Sequence, residues 1–304
     1  MESKAPRSFD LQSEVGASAA GEPRKGLIPA LRSGLSAAVL KWIALAAMTL
    51  GHINNYVLSP DNRLQGVPLL NVLGELSAPL FLFLVMESLK HVSHRMRYCL
   101  RLLVAGLLGN SIVLLLNLLV RGSAITIVNV LFAYFYAVAI VLTIESIRAF
   151  CRGARKRELL WAPLLLIGFE AIGLVCRSLE EFPAPFEMLS YALQHTFPTI
   201  RTTEFLLAFV LLGVVWYYCR SRKAQCIALA GYFLLCELCF QAGFYLSLPP
   251  HIPLVDDPKP GVLLVLPLIL LYNGQRGRQP KWLFYAYYPL HKWLLSTIQY
   301  LFLQ

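Results

Sequence analysis

Residues 261–291 read GVLLVLPLILLYNGQRGRQPKWLFYAYYPLH: a thirteen-residue apolar run ending at Asn273, a loop of glycines and arginines, an aromatic block, then a lone histidine behind a proline. The fold turns on whether 261–273 crosses a membrane. At 1.5 Å per residue a helix of that length covers about 20 Å, short of the ~30 Å hydrocarbon core. Pro267 is expected to bend it. Yet the loop behind it carries Arg276, Arg278 and Lys281, and cationic residues resist translocation.

The rest of the chain supplies the context. Of 304 residues, 57% are hydrophobic and 14% charged, where soluble domains carry about a quarter charged residues. This is the composition of an integral membrane protein. The net charge of +10 does not point to nucleic acid, because Lys and Arg fall in short patches between apolar runs rather than on one face. The expected partner of such a pattern is the lipid bilayer. Apolar runs at 37–58, 72–89, 99–119, 125–147, 158–176, 203–219, 226–246, 261–273 and 283–303 predict an all-α, polytopic membrane helical bundle of about nine transmembrane helices, the eighth being the weakest and open to a re-entrant reading. With the N-terminus inside, each inner segment holds three to five cations: Arg24, Lys25, Arg32; Lys90, Arg95, Arg97, Arg101; Arg148, Arg152, Arg155, Lys156, Arg157; Arg220, Arg222, Lys223; Arg276, Arg278, Lys281. The outer segments hold one or two each, Arg63, Arg121, Arg177 with Arg201, and Lys259. Removing the eighth span would put Arg276, Arg278 and Lys281 outside. The expected topology is therefore N-in and C-out.

Residues 1–36 mix small, polar and charged residues and are expected to form a disordered cytoplasmic tail without the apolar core of a signal peptide. Residues 37–304 form the transmembrane domain. The longest outer loop, 177–202, has room for a short interfacial helix near 186–194. The absence of a convincing internal repeat counts against an inverted-repeat transporter. The seven cysteines are expected to be reduced thiols. Cys236 and Cys239 share a helix face within an apolar run and are expected to pack rather than ligate, so no metal is expected.

A charge at mid-bilayer costs at least ~2.5 kcal/mol, so each ionisable residue in a span needs a reason. Lys41, Arg101, Glu145 and Glu204 lie near span ends, where side chains reach the headgroups. His52 sits deep in the first span, behind Gly51, where another backbone can approach closely, and ahead of Asn54 and Asn55. It is either a satisfied core histidine or part of a site. Glu87 has Lys90 and His91 three and four residues on, the spacing of a helical ion pair; Glu75 faces the outer leaflet. Asn117 and Asn129 are amides of the kind that bond between helices. His291 follows Pro289, which frees a carbonyl near Tyr285. Phe284, Tyr285, Tyr287 and Tyr288 read as an aromatic belt at the inner headgroup level.

The stretches LKWIALAAMTLGHI (40–53), LSAPLFLFLVMESLKH (76–91) with RYCLRLL (97–103), NVLF (129–132) and YNGQRGR with FYAYYPLH (272–278 and 284–291) resemble the TraX family. Those inner-membrane proteins acetylate the N-terminus of conjugative pilin and are similar to multi-pass membrane acyltransferases. Two positions depart from the pattern: Gly51 stands where the family carries Asp, and Glu75 where it carries Arg. The resemblance implies a bacterial inner-membrane acetyltransferase with acetyl-CoA as donor and a pilin-like membrane protein as acceptor in conjugative pilus biogenesis. On that reading Asn273, Gly274, Arg276, Gly277 and Arg278 receive the donor phosphates through arginine forks and exposed backbone. His52 acts as base, Glu87 steadies a cation, His291 lies along the acyl path, and Glu75 replaces the missing carboxylate beside His52. Asn129 is a structural polar residue. The competing readings are a proton-coupled transporter and a non-catalytic TraX-like component of a conjugation or secretion machine.

Overall fold

The computed structural model describes residues 34–58, 67–119, 129–153, 157–178, 192–193, 196–200, 203, 206–241, 247–248, 252–253, 259–278 and 283–302. Most of the tail, most of the loop 177–202 with all but 192–193 of its expected interfacial helix, and Glu204 lie outside these residues.

The chain enters at Gly34–Ser36, within the stretch assigned to the tail, and these residues belong to the fold. Leu35 donates its N–H to the Leu271 carbonyl and accepts from Asn273. Ser36 caps α1 (Ala37–Ile53), its hydroxyl accepting from the Val39 N–H. One side of α1 is buried through Ala37, Leu40, Ala44, Ala47, Met48 and Gly51, while Val39, Trp42 and Leu50 face outward. Small residues on the buried side let neighbouring helices approach. The end of α1 loosens into a π-helical turn at Asn54–Leu58. α2 (Pro68–Glu75) opens on proline, which is suited to a first helical position. A turn at Leu76 separates it from α3 (Ser77–His91).

α4 (Arg95–Leu119) and α5 (Val130–Cys151) follow. α5 is the centre of the bundle: Phe132 to Tyr136, Ala137, Val138, Ala139, Val141 and Leu142 are all buried. A helix apolar and covered on every side belongs in the middle, and α3, α4, α6 (Arg157–Ser178) and α7 (Leu206–Tyr218) surround it. α8 (Arg222–Gln241) returns against α7. β1 (Ser247–Leu248) and β2 (Ile252–Pro253) form a two-residue antiparallel pair, and Leu35 makes an isolated parallel bridge to Tyr272. The eighth expected span is a 3₁₀ turn at Pro260–Leu264 continuing into α9 (Val265–Leu271). α10 (Leu283–Phe302) closes the fold.

Each expected span holds helical residues, but 72–89 is divided between α2 and α3, and 261–273 is α-helical only over Val265–Leu271. Among the described residues, five segments are long and apolar enough to cross a membrane, Ala37–Leu58, Pro68–His91, Arg95–Leu115, Val130–Cys151 and Arg222–Gln241; Trp161–Cys176, Leu207–Tyr218 and Pro260–Leu271 are shorter apolar helices, and α10 is in neither group. Pro267 falls in the first turn of α9, where a helix has no partner for the missing N–H. The expected bend is replaced by the change from 3₁₀ to α geometry at Leu264. Large apolar side chains cover much of the outer surface: Phe150 is 75% exposed, Ile227 72% and Ile167 66%. Apolar patches of that extent mark a surface solvated by lipid.

Candidate functional site

α1 and α10 pair through side chains that advance together along both helices, Thr49 with Tyr287 and His52 with His291, so the two helices run parallel. His52 Nδ1 lies 2.6 Å from His291 Nε2. The ring planes differ by 9° with centroids 4.8 Å apart. The rings are thus nearly coplanar and meet edge to edge through their nitrogens, not face on.

The partners fix the protons. His291 Nδ1 lies 2.7 Å from the carbonyl of Tyr287, and a carbonyl only accepts, so Nδ1 carries hydrogen. In neutral His291, Nε2 is then a lone pair, and His52 Nδ1 must donate to it. His52 Nε2 remains as the second lone pair, the free basic end of the chain. This is the logic of a base oriented by a second group, with an imidazole where a carboxylate is more familiar. The acceptor, the carbonyl of Tyr287, lies one helical turn back along α10.

The aromatic block does not form a lipid-facing belt at Tyr287 and Tyr288. Thr49 Oγ1 donates its one proton to the Leu45 carbonyl at 2.8 Å, so the Tyr287 hydroxyl donates to Thr49 at 2.7 Å. The Tyr287 ring stacks on His291 at 4.9 Å and 11°. Tyr288 is buried, and its hydroxyl accepts from the Val130 N–H at 3.4 Å and from Lys292 Nζ at 3.3 Å. The side chains of Phe284 and Tyr285 lie outside the described residues. Lys292, itself buried, is an ionisable residue of the last span to which sequence reasoning gave no role. Its signal was the His-Lys dipeptide inside an apolar helix.

Around the pair the backbone is shaped by close contacts. A Cβ on Gly51 would meet the Cα of Gly74 at 2.9 Å, and one on Gly74 would meet Gly51 at 2.7 Å. α1 and α2 therefore touch backbone to backbone one residue before His52. The π turn begins two residues after it, and such turns recur at functional sites. Asn54 is buried and holds that turn, donating to Asn71 Oδ1 at 2.7 Å and accepting from the Val67 N–H at 2.7 Å. Asn129 caps α5 by accepting from Leu131 at 3.0 Å and donates to the Gly106 carbonyl of α4 at 3.2 Å.

The two carboxylates assigned to the site lie elsewhere. Glu75 Oε2 accepts from the Gly261 N–H at 2.7 Å and so anchors the 3₁₀ turn; the partner of His52 is His291. Glu87 lies thirteen residues beyond Gly74, about 20 Å of helix away from the histidines. It is buried in the last turn of α3. It accepts from Lys90 Nζ at 2.6 Å, Gln225 Nε2 at 2.8 Å and Arg222 Nη1 at 2.9 Å. Lys90 continues to the carbonyls of Trp216 and Cys219, which closes the end of α7. Two cations and an amide already serve this carboxylate, so it joins α3 to α7 and α8 rather than steadying a group beside His52.

The Asn273–Arg278 loop sits at the opposite end of α1 from the histidines. The carbonyls of Gln275 and Arg276 accept from the first N–H groups of α1, Ala37 at 2.8 Å and Ala38 at 3.1 Å. Gly277 has φ +68, and a Cβ there would strike the Ser36 hydroxyl at 2.7 Å, so only glycine fits. Gln275 N–H bonds Asn273 Oδ1 at 2.9 Å. Arg276 and Arg278 are exposed. From Ala38 to His52 is fourteen residues, about 20 Å along α1.

This geometry of paired first and last helices, with the loop between 272 and 278 folded onto the first, sits on the stretches that carry the resemblance. The model of the family described as TraX protein matches residues 36–177 and 188–299, well over half of the chain. The chain belongs to the TraX family. No curated protein and no solved structure matches it. The match takes in both histidines and the arginine loop of this TraX-family chain, and leaves out the first 35 residues, 178–187 and 300–304.

Proposed function

We propose that this TraX-family protein is a membrane-embedded N-acetyltransferase that moves acetyl from acetyl-CoA to the N-terminus of a membrane-inserted, pilin-type subunit during conjugative pilus biogenesis. Its place is the bacterial inner membrane, with the N-terminus in the cytoplasm. The observation that carries this reading is the His52–His291 pair, whose hydrogen bonds leave a lone pair at His52 Nε2. The amine nitrogen attacks the thioester carbonyl carbon, and the C–N bond forms as electrons shift to oxygen. The oxygen pair returns as the C–S bond breaks. The proton lost by the amine passes to His52 Nε2 and then to the departing sulfur of CoA. Lys292 and Tyr288 beside the pair supply a cation and a hydroxyl for the oxygen that gains charge.

Donor phosphates at Arg276 and Arg278 place the rest of acetyl-CoA along α1, with its extended arm covering the length of helix to His52. Guanidinium forks suit phosphate, and both arginines are exposed on a loop held at two glycines with positive φ. The proton-relay reading loses support at His291, whose far nitrogen ends on a backbone carbonyl that cannot pass a proton on.

The test is mass spectrometry of the pilin N-terminus from cells carrying the wild-type gene or His52→Ala. Acetylated pilin with the wild type and free amine with the variant, at equal membrane abundance, is expected. Pilin acetylated equally in both removes His52 from the chemistry, and pilin unmodified in both removes the assigned acceptor.

A further inference from the structure

Glu87 lies far from the histidines, yet its contacts lead to the donor loop. Arg222 Nη1 donates to Glu87 Oε2 at 2.9 Å and to Gln225 Oε1 at 2.9 Å. Held on two sides, the guanidinium lies over the ring of Tyr272 with Cζ 4.7 Å from the centroid, and 5.4 Å from that of Phe83. Phe83 meets Tyr272 edge-on at 5.5 Å. Tyr272 is the residue through which α9 becomes the arginine loop, and it pairs with Leu35 across the start of the fold. The loop thus has two supports. One is the first turn of α1, which bonds Gln275 and Arg276. The other is a cation resting on Tyr272, aimed by a buried carboxylate. An aromatic face attracts a guanidinium, and Arg does this better than Lys because its plane stacks.

We propose that Arg222, aimed by Glu87, is a positioning residue for the acetyl donor: it clamps Tyr272 and so fixes the angle at which Arg276 and Arg278 meet the donor phosphates. This rests on the donor-loop reading given above. Glu87 and Arg222 touch neither donor nor acceptor. The ring, not the hydroxyl, of Tyr272 is the element that matters.

The experiment uses the full chain in lipid nanodiscs and two measurements: hydrogen–deuterium exchange of the amides in 272–278, and the Kd for acetyl-CoA by calorimetry. Arg222→Ala and Tyr272→Ala are expected to speed exchange across the loop and to weaken acetyl-CoA about fivefold, the worth of one cation–ring contact. Tyr272→Phe keeps the ring and is expected to match the wild type in both, which a general loss of packing would not reproduce. The Arg222→Ala/Tyr272→Ala double variant is expected to be no weaker than the weaker single, because both changes delete one contact. Unchanged exchange in Arg222→Ala overturns the clamp, whatever acetyl-CoA does. Faster exchange with unchanged Kd in Arg222→Ala, while Arg276→Ala/Arg278→Ala weakens binding, overturns the link between clamp and donor. Unchanged Kd in Arg276→Ala/Arg278→Ala sinks the donor-loop reading itself, and the proposal with it.

Discussion

His52 is oriented by a residue of the last helix 239 positions away, and the proposed acetyl transfer should respond to the two imidazoles as one unit. General-base catalysis contributes roughly 10²- to 10⁴-fold, so His52→Ala should lower acetyl transfer by that factor. His291→Ala should come close to it, because an unheld His52 loses both its tautomer and its aim. The double variant should be no slower than the slower single, since groups that act as a unit are non-additive. Rates of acetyl transfer to a pilin N-terminal peptide in proteoliposomes check this; losses that multiply would show two independent roles. Both histidines stand out in the sequence because an ionisable group in an apolar run needs a reason. Their pairing did not, since no local signal links positions so far apart. The expected partners Glu75 and Glu87 were chosen for charge, and the structure spends both on backbone and cation contacts elsewhere. Lys292 is expected to help at the reacting oxygen. Lys292→Met should lower kcat about 10- to 100-fold with little change in KM for acetyl-CoA, and a change confined to KM would place it in binding instead.

At the scale of elements, the site depends on how closely α1 meets α2. The Gly51–Gly74 contact leaves no room for a Cβ on either side. Gly51→Ala should therefore cost about 1–3 kcal/mol, as overpacking does, and lower the melting temperature of the purified protein; an unchanged Tm would mean that the helices part freely. Close approach at Gly51 was legible from the residue itself, whereas its partner Gly74 was not, because a glycine in LLNVLGEL carries no mark of what it faces. The apolar helical character of the chain was legible because hydrocarbon leaves a spanning backbone only helices or a closed barrel, whereas the number of crossings was not, since three expected spans are short helices. Residues 261–271 were legible as short and apolar but not as a 3₁₀-to-α segment. That form follows from tertiary contacts: Glu75 takes the Gly261 N–H, and a Cβ at Gly261 would run into the Val72 carbonyl. The tail boundary was misplaced for a similar reason. Gly34–Ser36 look like the rest of a polar stretch, and only the facing edge at 271–275 gives their backbone groups partners.

At the scale of the whole molecule, the two ends of the bundle have different chemistry. One end holds the histidine pair, where Val130 at the start of α5 bonds Tyr288. At the other end Tyr218 bonds Glu145 of α5 at 3.2 Å, Lys90 bonds the carbonyls of Trp216 and Cys219, and Arg222 covers Tyr272. Cys151, exposed at the last residue of α5, lies at this second end, with the arginine loop. Acetyl-CoA is cytosolic, so the donor reading requires this end to face the cytoplasm, as the clustering of Lys and Arg predicts. Cys151 reports on it without any engineering. Cys99, Cys176 and Cys236 are buried and Cys219, Cys226 and Cys239 are half-buried, which leaves Cys151 as the exposed thiol and the accessible nucleophile. A membrane-impermeant maleimide should label the protein in inverted inner-membrane vesicles and not in intact spheroplasts, and Cys151→Ser should remove most of the signal. Labelling at Cys151 in spheroplasts would put the arginines on the far side from the donor, and no arrangement of His52 and His291 would then let acetyl-CoA reach them along α1.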